Sequence, residues 1–308
     1  MYDTVNFWID RAELSGNSPF DILPCLSEIS ETHKDGRLFR CSGKLKNYSV
    51  RIYERGISLK GSLAKFHLDN NLETLNRHTA KIAIEKLSDC LHLDIAASKV
   101  VRLDVSAVIQ TEKTPQDYYN LLGDKPHFSR LQTAPDTLCY DNHKKQIVFY
   151  DKILESKNNK VAMPEIFRNN NLLRYELRYT KYLDRQLKYR VTGATLTDGS
   201  FCRLIADNWH REFKTIRKIK KSEMDYSSIN TPRGLKEAIL ATLLQEKGQE
   251  YIDDVLVKLK ANNCFKDRSD YSRAKSSLES LISDPKERPD GLMQELGKKV
   301  YIAAKYGF

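Results

Sequence analysis

Three short stretches carry residues whose types and spacing suit phosphoryl chemistry. In VVRLDVSAV, Arg102, Asp104 and Ser106 alternate with Val101, Leu103 and Val105. In LLRYELRY, Arg174, Glu176 and Arg178 alternate with Leu173, Tyr175 and Leu177. In KQIVFYDKI, Tyr150 and Lys152 oppose Ile147, Phe149 and Ile153. Successive side chains of a strand point to opposite faces, so each stretch reads as a strand with one apolar and one polar face. An antiparallel sheet can leave its polar face wet. If the three strands are neighbours, Asp104, Glu176 and Tyr150 meet there.

Such a meeting has a chemical use. Two carboxylates a few ångströms apart repel unless a proton or a divalent cation sits between them. Mg²⁺ or Mn²⁺ suits oxygen ligands and also holds a phosphate oxygen. A tyrosine oxygen can then attack phosphorus and form a covalent phosphotyrosine. Free tyrosine ionises only at about pH 10, so it needs help. Lys152, two residues along the same strand face, is placed to stabilise the phenolate. Arg102, Arg174 and Arg178 can hold the scissile phosphate. The same residues also suit ordinary cross-strand ion pairs, and the pattern alone leaves both readings open.

The elements that would position these residues follow from periodicity. YDTVNFWID reads as an opening strand, and residues 37–66 as a meander of short antiparallel strands. NLETLNRHTAKIAIEKLSDCLHL changes to helical spacing, with Asn70 or Asn71 as cap. Thr114 and Pro115 open a short helix. DTLCYDNHKKQIVFYDKILES reads as a hairpin around DNHKK. From about residue 195 the spacing is helical, with a split near Gly248. The expected fold is α+β: an antiparallel or mixed sheet in a first domain, residues 1–193, which the phosphoryl-chemistry reading would make a nuclease domain, followed by a helical, basic DNA-binding or accessory domain, residues 194–308.

Composition narrows the partners. The net charge of the 308-residue chain is +10, and phosphate is the commonest partner of a basic surface. KTIRKIKK, with Lys214, Arg217, Lys218, Lys220 and Lys221, is expected to be a helix contacting the DNA backbone. Six cysteines without a CxxC pair point to free thiols in a reducing compartment. No secretory leader or apolar run long enough to span a membrane is present, so a cytoplasmic location is expected. There is no GxxxxGK[ST] and no G-x-S-x-G, which argues against a nucleotide-driven motor and a serine hydrolase. A His-x-His metal pair is also missing, leaving His67 and His143 as third-ligand candidates.

GSLAKF, VVRLDVSA, IVFYDKILE and LLRYELRYTKYL, in that order over roughly residues 55–185, resemble the gene II proteins, the replication initiators of filamentous phages and related plasmids. The same motifs are similar to the Rep_trans class of plasmid initiators. The resemblance implies a rolling-circle initiator that nicks one origin strand, stays joined to the 5′ phosphate and leaves a 3′ hydroxyl. It puts the nucleophile on Tyr150 with Lys152 beside it, and the acidic positions on Asp104 and Glu176. Ser62, Ala64 and Lys65 match the family's serine–x–alanine–lysine segment, with Lys65 a phosphate contact. HLDNN departs from the pattern by lacking a glycine near Asp69 or Asn70. The implied cofactor is Mg²⁺ or Mn²⁺. Origin DNA, a host polymerase and a host helicase are the implied partners, and a homodimer is left open. Three alternatives stand beside this reading: Tyr140 as the nucleophile, a non-catalytic DNA-binding initiator or repressor, and a metal nuclease using activated water.

Overall fold

The alternating stretches become ten strands of one sheet. The computed structural model describes residues 1–14, 16–35, 37–134, 136–161, 164–167, 170–219, 229–282 and 291–307. The strands are β1 (Tyr2–Asp10), β2 (Ser27–Lys34), β3 (Arg37–Leu45), β4 (Tyr48–Tyr53), β5 (Gly56–Lys60), β6 (Lys99–Thr111), β7 (Ser129–Ala134), β8 (Thr137–Asp141), β9 (Lys145–Asp151) and β10 (Asn171–Tyr179). Their order in space is β2-β3-β4-β5-β1-β6-β10-β9-β8-β7. Each pairing is antiparallel. The fold is α+β, as the periodicity implies.

The helices are α1 (Leu63–Leu68), α2 (Arg77–Leu91), α3 (Pro115–Tyr119), α4 (Lys152–Asn158), α5 (Leu183–Leu187), α6 (Gly199–Lys214), α7 (Pro232–Lys247), α8 (Gln249–Ala261), α9 (Arg268–Ile282) and α10 (Gly291–Tyr306). The chain forms two compact units. Residues 1–119, 124–217 and 295–308 make the first, which holds the whole sheet; residues 120–123 and 218–294 make the second. The division expected at 193/194 falls inside the first unit. The reason is α6, which buries Phe201, Trp209 and Phe213. Trp209 stacks on Tyr175 of β10 at 4.3 Å, and Tyr175 stacks on Phe149 of β9 at 4.8 Å. The Tyr175 hydroxyl also donates to the Trp209 carbonyl at 2.8 Å. Aromatic burial on this scale welds α6 to the sheet's apolar face.

The second unit has its own small core, Leu244, Ile252 and Leu256, against which Leu259, Leu278 and Leu281 pack. Gly248, at φ +76°, breaks α7 from α8 where the sequence places the split. Two other local expectations shift. Asn76, not Asn70 or Asn71, caps α2, accepting from the Thr79 amide. KTIRKIKK is not a helix throughout: α6 ends at Lys214, and Lys218 forms an isolated bridge with Leu122. Lys220 and Lys221 lie outside the described residues.

Two irregularities in the β1–β6 ladder reset the alternation. Register shifts fall between Tyr2 and Val5 and between Asn6 and Phe7. Tyr2 and Val5 are therefore both buried in the apolar core, and Asp3 turns to the polar face. On β6 the second shift buries Val100 and leaves Val101 exposed, the reverse of strict alternation. A bulge adds a residue to one strand and re-aims its side chains.

Gly61, just before Ser62, lies against the ring of Tyr48. A Cβ there would stand 2.8 Å from that ring and 3.0 Å from the Asn47 carbonyl. Gly61→Ala is expected to lower the unfolding free energy by about 1–3 kcal/mol, the usual cost of overpacking, as measured by urea denaturation.

Candidate active site

Register brings the three motif strands together. β10 lies between β6 and β9. Arg178 pairs with Asp104, Glu176 with Ser106, and Arg174 with Tyr150. Glu176 is thus the diagonal neighbour of both Asp104 and Tyr150 on one face, where residues stand roughly 7–8 Å apart.

That face is not wet here. Asp104, Ser106, Arg174 and Glu176 are all buried. Arg174, 1% exposed, is the hub. Its Nε donates to Glu176 Oε1 at 2.6 Å, and one terminal nitrogen donates to Asp3 Oδ2 at 2.6 Å and Ser106 Oγ at 2.8 Å. Its other terminal nitrogen donates to the Asn71 carbonyl. Burial disfavours the charge, but Asp3 and Glu176 outweigh it and hold the guanidinium firmly protonated.

Glu176 receives three groups. Arg174 and the Tyr150 hydroxyl, at 2.8 Å, both donate to Oε1, and Arg178 Nε donates to Oε2 at 2.8 Å. Burial works against its charge, but the two arginines prevail and hold its pKa down to about 2. Asp104 takes a two-pronged contact from Arg102, at 2.9 and 2.8 Å. Burial still raises its pKa, with Arg102 opposing and Glu176 adding to the rise. Burial and the Glu176 carboxylate push the Tyr150 phenol well above the ordinary tyrosine range.

The other candidates separate. Lys152 is not on the strand: β9 stops at Asp151, whose side chain accepts from the amides of Ile153 and Leu154 and caps α4. The Lys152 ammonium is buried and donates to Asn71 Oδ1 at 2.9 Å and Glu155 Oε2 at 2.6 Å. Burial lowers its pKa, Glu155 opposes this, and Arg174 adds to the lowering. Ser62 caps α1: its Oγ accepts from the Lys65 amide at 3.1 Å and donates to Asp3 Oδ1 at 2.5 Å. Ala64 is buried, and Lys65 is near enough to bear on the charge of Lys152. Tyr140 is buried on the opposite, apolar face, paired with Ile147 and edge-on to Phe149, so it does not meet the carboxylates. His67 lies on α1 with a buried Nδ1 that has no hydrogen-bond partner among the described residues. His143 sits at φ +66° in the β8–β9 turn. Lys214 is exposed at the end of α6, and the Arg217 amide donates to the Asp124 carbonyl.

Asp3 belongs to this network without having been singled out in the sequence, which marks Asn71 only as a helix-cap candidate. Strict alternation from Val5, Phe7 and Ile9 puts Asp3 on the apolar side, and only the bulge returns it. Asn71 links three groups: its carbonyl takes Arg174, its Oδ1 takes Lys152, and its Nδ2 donates to Asp3 at 3.5 Å.

Residues 1–209 match the family described as the N-terminal part of the replication-associated gene II protein of phages. The chain belongs to this family. It is the type of phage replication initiator that the motif order resembles, and with it comes a DNA-binding role in replication. Among curated proteins none matches the chain. The matched segment contains the whole sheet, α6 as far as Trp209, and every member of the Arg174 network.

Oxygen donors of the kind Mg²⁺ or Mn²⁺ takes are present in Asp104 and Glu176. Among the described residues no three His, Cys, Asp or Glu side chains cluster as a cage. Mg²⁺ needs no cage, since it keeps waters and is held by one or two carboxylates plus substrate phosphate. By donor type the pair fits, but its oxygens are taken by Arg102, Arg174, Tyr150 and Arg178, so a cation reaches them only by displacing a guanidinium.

Two outcomes follow from these charges. Glu176 is depressed from 4.5 to about 2, so its stabilising share is complete above pH 4.5 and is lost as pH falls toward 2. Unfolding free energy should drop over that window by on the order of 3 kcal/mol, and the slope should shrink in Glu176→Gln; denaturation at stepped pH measures both. Arg174→Met leaves Asp3 buried without a cationic partner among the described residues and Glu176 with Arg178 alone, and should cost about 3–5 kcal/mol at neutral pH in urea titrations.

Proposed function

We propose that this initiator nicks and rejoins an origin strand by tyrosine transesterification. The phenolic oxygen of Tyr150 attacks the scissile phosphorus and forms the phosphotyrosine bond. The phenol gives its proton to Glu176, the bond from phosphorus to the 3′ oxygen breaks, and that oxygen takes a proton from water to become the 3′ hydroxyl. The observation that carries the reading is the hydrogen bond from the Tyr150 hydroxyl to Glu176, diagonally beside Asp104 in a field of arginines.

Each residue then has a task. Glu176 orients the phenol and is the group in contact with its proton. While Arg174 and Arg178 both hold it, Glu176 is a weak base. Arg178 is the partly exposed one of the two, at 28%, and its guanidinium suits a phosphate oxygen. A phosphate that draws Arg178 away raises the basicity of Glu176 as substrate arrives. Arg174, fully enclosed, stays as the fixed positive charge beside the developing phenolate. Lys152 acts through Asn71 rather than on the hydroxyl, holding the segment over the hub. Mg²⁺ or Mn²⁺, held by Asp104 and Glu176 with a phosphate oxygen, would polarise the phosphorus and neutralise developing charge. The strand attached to the protein keeps the energy of the phosphodiester, so the joining step needs no nucleotide. A host polymerase extending the 3′ hydroxyl and a host helicase opening the duplex complete this reading.

Purified protein incubated with supercoiled origin plasmid should yield open circles carrying protein on the 5′ end. Tyr150→Phe should abolish both nicking and the covalent adduct, seen as a shifted labelled strand on a denaturing gel. EDTA and Asp104→Asn should abolish nicking too, with Mg²⁺ or Mn²⁺ restoring the EDTA sample. Cleavage without an adduct would mean a water nucleophile; DNA binding without cleavage under any metal would mean a non-catalytic initiator.

A further inference from the structure

The polar face of the sheet continues past the Arg174 network onto β1, β5 and β4, and its character changes there from acidic to basic and aromatic. Register fixes the row: Arg51 pairs with Ser58, Ser58 with Trp8, and Trp8 with Lys99. Tyr53 and Lys60 share the face, two residues along from Arg51 and Ser58. Trp8 and Tyr53 are partly exposed, with ring centroids 6.3 Å apart. The Arg55 guanidinium stands 5.4 Å over the Trp8 ring. Arg51, Arg55 and Lys60 form no ion pair among the described residues, whereas Lys44 on the neighbouring strand is held by Glu28 at 2.6 Å.

A second observation points to a ligand. Asn6 lies on the same face, paired with Arg102, between the aromatic pair and the carboxylates. It is 9% exposed, and its Oδ1 is buried with no hydrogen-bond partner among the described residues. A buried acceptor left unpaired costs stability unless a partner arrives. A nucleobase amino group is such a partner.

We propose that this stretch is a track for single-stranded DNA leading to Tyr150, with bases stacked on Trp8 and Tyr53, phosphates on Arg51 and Lys60, and a base edge on Asn6. Aromatic rings interleaved with unpaired cations are how proteins hold an unpaired strand, because every base has a stacking face. Duplex DNA keeps its bases stacked inside and offers nothing for Trp8. The track rests on the DNA-nicking reading for its direction toward Tyr150, but not for its binding chemistry.

The test uses the chain's own fluorescence. It has two tryptophans, and Trp209 is fully buried against Tyr175, so added DNA reports on Trp8. In Tyr150→Phe, where cutting is blocked, a mixed-sequence single-stranded oligonucleotide should quench the emission, and a duplex of the same sequence should not. Trp8→Ala should weaken binding about fivefold or more, the low end for one stacked base. Arg51→Ala with Lys60→Ala should reduce the slope of log affinity against log salt by about 1.4, at roughly 0.7 per phosphate contact; both residues are on the surface, so this variant checks the track even if Trp8→Ala unfolds. Unquenched emission with bound DNA, equal quenching by duplex, unchanged affinity and slope in these variants, or no DNA binding at all would each overturn the track. Wild-type protein that forms the 5′ adduct without quenching would leave Tyr150 in place and remove only the track. Quenching without any adduct would do the reverse.

Discussion

A guanidinium with almost no access to water cannot exist without compensation, and the centre of this fold is built to supply it. Arg174 is enclosed by Asp3 from the first strand, Glu176 from its own strand, Ser106 from the strand beside it and the backbone of Asn71 from the segment after α1. Removing a charge from water costs several kcal/mol, and only close opposite charge with full hydrogen bonding offsets it. Each of these partners is therefore constrained in position by the same requirement. Tyr150 is constrained too, because the carboxylate that accepts its hydrogen bond is one of the two neutralising Arg174.

The sheet's two faces divide the labour. On one, Tyr175, Phe149, Trp209 and Phe213 form a dry aromatic layer that fixes β9 and β10 as a rigid pair. On the other, Gln146, Tyr150, Arg174, Glu176 and Arg178 gather the polar groups of those strands around Val148. A one-residue slip would exchange the faces, so the aromatic layer also protects the register on which the polar network depends. That is the physical link between α6, which touches none of the carboxylates, and the geometry at Tyr150.

Much of this was legible in the amino-acid order, and the failures have identifiable causes. Strict alternation in VRLDVS, LRYELR and IVFYD correctly put Asp104, Glu176 and Tyr150 on one face, since those strands run without irregularity where they meet. It failed for Val101, which lies at a bulge in the β1–β6 ladder, and Asp3 lies at another; a bulge has no periodic signature. The expectation of a wet polar face failed because the covering segment, with Asn71, comes from outside the sheet. Lys152 was read as a strand residue, although Asp151 followed by Glu155 is a usable helix-start signal. Tyr140 lay within reach of the hairpin but on its apolar side, which a fixed register for DNHKK would have shown.

The spatial order of the strands has a consequence for how the molecule is made. Asp3 and Arg174 are 171 residues apart in the chain, and β1 and β10 flank β6 at the middle of the sheet. Closing a loop of that length is entropically slow, and contacts so distant in sequence retard folding. During synthesis, β1 through β6 can pair in turn, but the guanidinium that organises the polar face leaves the ribosome only after more than half the chain is built. Until then Asp3 has no partner for its charge, and the tyrosine strand has no β10 to lie against. A nascent or truncated chain lacking β10 therefore has every strand of the meander but not the guanidinium that Asp3 and Ser106 share.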